Sequence, residues 1–123
     1  MRMLHNHLNL EVTKGDTLSF GVKLNKINQA LDAAHFTCKT NFNDIEPIFE
    51  KHIDSGITLD HVNGEDYYYK VRITPEDTEM LECGKYYYDL QIEVNTDVFT
   101  IMKGIFTLDY DVTQRRVFNG GIR

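Results

Sequence analysis

The chain contains no tryptophan, two prolines, two cysteines and two serines. The scarcity of proline excludes a collagenous or low-complexity chain. No apolar run approaches the roughly 20 residues that a membrane-spanning helix needs. The opening residues, Met1-Arg2-Met3-Leu4-His5-Asn6-His7, lack the apolar stretch of a secretory signal, so the expected compartment is the cytosol. Without secretion, Cys38 and Cys83 are expected to be reduced, packing-type thiols and not a disulfide. Ser19 and Ser55 lie in no nucleophile-elbow context. There is no phosphate-binding glycine loop and no H-E-x-x-H, so no enzymatic activity is expected.

Basic charge is also sparse: 13 lysines and arginines stand against 19 acids, a net charge of −6 over 123 residues. Residues 113–123 contain Arg115, Arg116 and Arg123 and no acid, so they carry +3 and the remaining 112 residues carry −9. An acidic body repels phosphate backbones, which argues against a nucleic-acid partner.

What the chain does have is aromatic mass, seven tyrosines and seven phenylalanines, with 41% apolar and 26% charged residues. That is the make-up of an ordinary globule, and 14.3 kDa is one domain's worth. By surface scaling it would bury about two-thirds of its unfolded area, enough for a core unaided by metal or disulfide.

Period-two alternation dominates. Leu8, Leu10 and Val12 alternate with polar residues, as do Leu18, Phe20, Val22 and Leu24, then Ala34, Phe36, Cys38 and Thr40. Between Asp44 and Lys51 the pattern fails; Pro47 excludes a central strand there and leaves a helical turn or an edge segment. A short strand follows at Ile57–His61, then a hairpin signal at Asn63-Gly64. Beyond it Tyr67, Tyr69, Val71 and Ile73 share one face. Thr74 suits a helix N-cap, Pro75 the first helical position, and Glu76 and Asp77 the positive end of the dipole. The spacing predicts a short helical turn near residues 75–82, of two turns at most, with Met80 and Leu81 as apolar contacts and Gly84 ending it. Tyr86, Tyr88, Leu90, Ile92 and Val94 form the clearest inward face, and Asn95-Thr96-Asp97 a turn. After Phe99 and Ile101 the alternation slips across Lys103-Gly104 before Phe106, Leu108 and Tyr110, as at a bulge. The expected fold is an all-β, immunoglobulin-like antiparallel β-sandwich of seven to eight strands. Residues 1–112 form its single domain and residues 113–123 a basic C-terminal tail or arm.

The segment from Ile73 to Thr113 reads I-T-P-E-D-T-x-x-L-x-x-G-K-Y-Y-Y-D-L-x-I-x-V, then D-V-F-T-I-x-K-G-x-F-T-L-x-x-D-V-T, with G-D-T-L-S-F-x-V-x-L upstream at Gly15–Leu24. This pattern resembles the immunoglobulin-like N-terminal domain of tailed-phage baseplate upper proteins and related small phage structural β-sandwich modules. It spans about Val12 to Thr113, though Asn43–Glu65 does not match clearly. Its Gly-x-Tyr-x-Tyr-Asp is also a general sandwich device, in which a tyrosine ties a crossover to the next strand.

The resemblance implies a non-enzymatic phage or prophage virion structural protein: a baseplate, tail, connector or head-decoration component that docks on other virion structural proteins. It would be present in many copies or as a homo-oligomer, in a virion assembled in the bacterial host cytoplasm, with no membrane partner. Because the chain stops at Arg123, docking is expected in place of host recognition. The resemblance carries no catalytic residues.

Candidate interface residues are Tyr68 and Tyr87, each on the polar face of a tyrosine-rich strand and able to pair if the strands are neighbours. The tail residues Arg115, Arg116, Val117 and Phe118 are the others, suited to an arm on a neighbouring subunit. The alternative to docking is a small carbohydrate- or ligand-binding module that stacks sugars on its aromatic rings. No cofactor and no metal are expected: His5 and His7 share a strand face, but two ligands do not close a site, and His35 and His61 would have to be brought near. Asp60, Glu65 and Asp66 lack calcium-loop spacing.

Overall fold

The computed structural model describes residues 6–110. Nine strands and one helical turn follow in order: β1 (Asn6–His7), β2 (Leu10–Thr13), β3 (Leu18–Leu24), β4 (Ala33–Lys39), β5 (Phe49–Ile53), β6 (Gly56–Asn63), β7 (Asp66–Ile73), α1 (Pro75–Thr78), β8 (Gly84–Val94) and β9 (Asp97–Asp109). The hydrogen-bonded path runs β1-β9-β8-β4-β5-β6-β7-β3, and β2 also joins β9.

That path bends back on itself at one place. β5 and β6 share only two residue pairs, His52 with Gly56 and Ile53 with Ile57, on either side of a tight turn with Asp54 at φ 67° and Gly56 at φ 100°. The Lys51 stem packs where a Gly56 side chain would stand, so the bend admits only glycine. The bend separates a first layer (β1/β2, β9, β8, β4, β5) from a second (β6, β7, β3). Their inner faces meet: Phe20 of β3 lies 6.2 Å from Phe36 of β4, although these strands are not neighbours in the sheet.

The chain is an immunoglobulin-like β-sandwich. Phe36, fully buried, occupies the centre of β4 and stacks on Tyr88 at 5.2 Å and 16° and on Phe49 at 6.0 Å and 23°. Phe49 in turn meets Phe106 edge-on. At the start of β8 the Tyr86 hydroxyl donates to the Glu82 carbonyl, 2.5 Å, the tyrosine corner of such sandwiches. The predicted alternation holds in β3, β4, β7 and β8.

Several details differ from expectation. The helical turn is a single turn, Pro75–Thr78. The Asp77 carboxylate accepts from the Thr74 amide (2.8 Å) and hydroxyl (3.1 Å), but Met80 is 88% exposed, so no apolar stripe holds a second turn. Gly84 opens β8 instead of closing the helix. The hairpin closes on Asn63 paired with Asp66, making Gly64 (φ 65°) and Glu65 the two loop residues, as in a turn with glycine first. Phe49–Lys51, expected in a helical turn or an edge segment, instead lie in β5, which sits between β4 and β6; Pro47 stands two residues before the strand, so its missing amide costs no ladder bond. Tyr110 is exposed and does not continue the inward face of β9.

The slip in β9 has two separate causes. The pairing jumps from Leu90–Met102 to Gln91–Thr100, so the bulge is at Ile101, and Ile101 and Met102 are both buried. Gly104 serves another purpose. The N-terminal strands run parallel to β9 but break at Leu8-Asn9, and there the Leu8 carbonyl dips to where a residue-104 side chain would be. The Leu8 amide donates to Lys103 (2.9 Å), the Ile105 amide to Asn9 Oδ1 (3.1 Å) and the Tyr88 hydroxyl to Leu8 (2.5 Å). These parallel pairings depart from a purely antiparallel sandwich.

Candidate functional site

On the outer face of the first layer an open groove of about 820 Å³ runs along β8. Because side chains alternate, the strand whose Tyr86, Tyr88 and Leu90 face the core presents Tyr87, Asp89 and Gln91 outward. Lys39 of β4 faces Tyr87 across one ladder, and Lys103 of β9 faces Asp89 across the other.

The groove's apolar end comes from the loop between β4 and β5. The Asn41 amide donates to the Asp44 carboxylate (3.0 Å) and the Asp44 amide to the Asn41 carbonyl (2.9 Å). The Lys39 ammonium donates to the Asp44 carbonyl (2.6 Å). This knot holds Phe42 against Tyr87, ring edge to ring face at 5.6 Å and 90°. Phe42 is still 70% exposed and Ile45 89%, and Pro47 and Ile105 line the same groove. An exposed apolar group of this kind beside charged residues is the sort of surface that contact sites use.

Asp89 lies between the apolar end and the rest of the groove. Its partial burial holds the carboxyl above its ordinary value, while Lys39 and Lys103 pull it back. Farther along β8, Gln91 donates to the Thr100 hydroxyl (3.3 Å). The groove thus places an aromatic pair beside a lysine–aspartate–lysine row. It can seat an apolar side chain or a sugar ring next to polar groups that fix orientation.

The two sequence-selected tyrosines do not meet, which corrects the expectation that they might pair. Tyr87 is on β8 in the first layer and Tyr68 on β7 in the second, and neither strand neighbours the other. Tyr68 stacks on His61 at 4.2 Å and 13°, with the Lys23 ammonium 5.6 Å from its centroid. It is a cross-strand packing residue. Arg115, Arg116, Val117 and Phe118, and the tail of residues 113–123 to which they belong, lie outside the described residues.

Cys38 and Cys83 are free thiols; burial pushes the Cys38 thiol up to about 12. Among the described residues no group of three or more histidine, cysteine or acidic side chains is arranged to hold a metal ion. His35 and His61 are not brought together. His35 instead meets His52, which the sequence reading did not single out, while His61 approaches Asp60 at 2.9 Å. The groove residues Phe42, Ile45 and Asp89 were also missed. Only the exposed position of Tyr87 in an alternating strand pointed to this face.

No family model matches the chain, and no curated protein matches it. Among solved structures it is similar to the extracellular fragment, including the stalk region, of novel immune-type receptor 11 from Ictalurus punctatus. The identity is 14%, coverage is 99% of this chain and 92% of that one, and the TM-score is 0.39. Among the described residues no helix is long and apolar enough to cross a membrane.

Proposed function

We propose that the chain is a non-enzymatic docking protein that grips other proteins with the outer face of its first layer, as a structural component of a phage or prophage virion. The observation that carries the docking reading is the exposed Phe42–Tyr87–Ile45 group at one end of the groove. Large aromatics surrounded by charge are the usual anchors of protein interfaces. The virion setting rests on the resemblance of the Ile73–Thr113 and Gly15–Leu24 segments to phage baseplate modules. Many copies on a ring or shell would supply avidity without one strong site.

The test is mass spectrometry of intact particles from a phage or prophage that encodes the chain, with wild type compared to Phe42→Ser/Tyr87→Ser. Incorporation of wild type and at least a tenfold loss in the variant, at unchanged thermal stability, is the expected result. A non-interacting monomer that is absent from particles would reject the proposal.

A second reading, a carbohydrate-binding module, is favoured by the polar groups beside the ring: Asp89, Gln91 and Lys39 line the same groove as Tyr87. Binding on a glycan array that Tyr87→Ala abolishes would establish it in place of docking, and silence across a broad array would reject it.

A further inference from the structure

At the β5 edge of the first layer, away from the aromatic end of the groove, two histidines stand opposite each other. His35 of β4 and His52 of β5 are register partners, so both side chains leave the same outer face. Their rings meet edge to face, 5.2 Å between centroids and 85° between planes, and the two Nδ1 atoms are 3.1 Å apart. The far side of each ring is matched by an acid: His35 Nε2 is 3.9 Å from Glu93 and His52 Nε2 is 3.6 Å from Glu50. The four residues form a row, Glu93–His35–His52–Glu50, across three strands.

The two facing nitrogens have room for one proton between them. A cation that replaces this proton can bond to both nitrogens once the half-exposed rings turn their lone pairs toward it. With metal–nitrogen bonds of about 2.05 Å, a separation of 3.1 Å subtends about 100° at the ion, between the square-planar and tetrahedral angles. The carboxylates stand at ion-pair distance from the two Nε2 atoms, outside hydrogen-bond reach, and add negative charge that favours a cation at the pair. About 40% of each imidazole side chain is exposed, so an ion reaches the pair directly from solvent.

We infer that His35 and His52 chelate a divalent transition-metal ion of the imidazole-preferring class (Cu²⁺, Ni²⁺ or Zn²⁺) through their Nδ1 atoms, with Glu93 and Glu50 supplying negative charge beside the rings. The proton shared by the free pair leaves as the ion enters, either to solvent or to the bare Nε2 of the ring that carried it. Two protein ligands do not close the coordination shell. The ion is therefore exchangeable and keeps positions for water or for a donor atom from another molecule. By the general order of divalent affinities, Cu²⁺ binds most tightly. This inference stands apart from the docking reading, since it uses no residue of the aromatic patch.

The test is calorimetric titration of the folded chain with Cu²⁺, Ni²⁺ and Zn²⁺ salts in turn, with copper electron paramagnetic resonance to count coordinated imidazoles. One Cu²⁺ site with two imidazole nitrogens is expected. His35→Ala or His52→Ala should each lower its association constant at least tenfold, and Glu93→Gln or Glu50→Gln by less than that, as loss of a charge at ion-pair distance. His61→Ala should leave the site unchanged. Wild-type binding no tighter than about 1 mM for all three ions, or a site that survives both histidine substitutions, overturns the proposal. Should either alanine variant misfold, protection of His35 and His52 but not His61 from diethyl pyrocarbonate by Zn²⁺ in the wild-type chain supports it, and equal modification of all three overturns it.

Discussion

The outer faces of the two layers arise from the same alternation but differ in character. On the second layer, the outward positions of β3 and β7 are Ser19, Gly21 and Lys23, then Tyr68, Lys70 and Arg72; the one ring among them, Tyr68, is covered by His61 and Lys23, and the rest are small or charged. On the first, β8 presents Tyr87, Asp89 and Gln91, and the adjoining loop adds Phe42 and Ile45. A strand needs only one apolar face to join the core. The second layer stops there and hands its other face to water. The first layer carries exposed apolar groups that its own packing does not require, and the docking proposal rests on that side.

The comparison depends on one core shared by both layers, and the largest effect should come from breaking it. Phe36 touches aromatic rings of β3, β5 and β8. Phe36→Ala should cost about 3–5 kcal/mol in urea unfolding, with amide exchange protection lost in β7 and β8 together. Retention of protection in β7 alone would mean that the layers are independent. A smaller effect, confined to the first layer, is expected from Gly104→Ala. Its methyl would displace the Leu8 carbonyl, at about 1–3 kcal/mol for overpacking. The Leu8 amide, bonded to Lys103, should then exchange early while β3 and β7 keep their protection.

The next effect separates hydrogen bonding from burial. Tyr88→Phe removes the bond to the Leu8 carbonyl, costing about 1 kcal/mol near neutral pH. Burial pushes the Tyr88 phenol up to about 12, against about 10 in the unfolded chain. Above pH ~10 the unfolded state gives up a proton that the folded state retains, so stability falls as pH rises through that window. Tyr88→Phe removes this contribution, and its deficit relative to wild type should narrow between pH 10 and pH 12. Tyr69 and Tyr86, also raised by burial, leave a residual slope in both proteins. Denaturant midpoints measured across that range check the sign.

What could be read from the sequence was whatever depends on a strand's own pattern. β3, β4, β7 and β8 each have one apolar face whichever strand lies beside them, and Thr74, Pro75 and Asp77 cap their turn locally. What could not be read depends on strand order. Tyr68 and Tyr87 look equivalent along the chain and are separated only by the bend between β5 and β6. His52 follows the stretch that Pro47 makes irregular, so nothing in the sequence placed it opposite His35. Gly104 showed up as a break in alternation, but the bulge is at Ile101 and the glycine makes room for the carbonyl of Leu8, far earlier in the chain. Phe42 and Ile45 sit in a loop, where apolar residues carry no periodic signal.

The smallest effect on stability bears most directly on the two outer faces. Phe42→Ser/Ile45→Ser and Lys70→Ala/Arg72→Ala all alter exposed side chains, so each pair should shift stability by no more than about 0.5 kcal/mol per site. The folded protein should nevertheless respond differently to an apolar dye. If the first layer's outer face holds the accessible apolar surface, anilinonaphthalene sulfonate fluorescence should drop on losing Phe42 and Ile45 and stay the same on losing Lys70 and Arg72. An equal response from the two faces would remove the distinction between them. A fall with Phe42→Ser/Ile45→Ser alone, at constant urea midpoint, would show that these side chains form accessible apolar surface that the fold does not need.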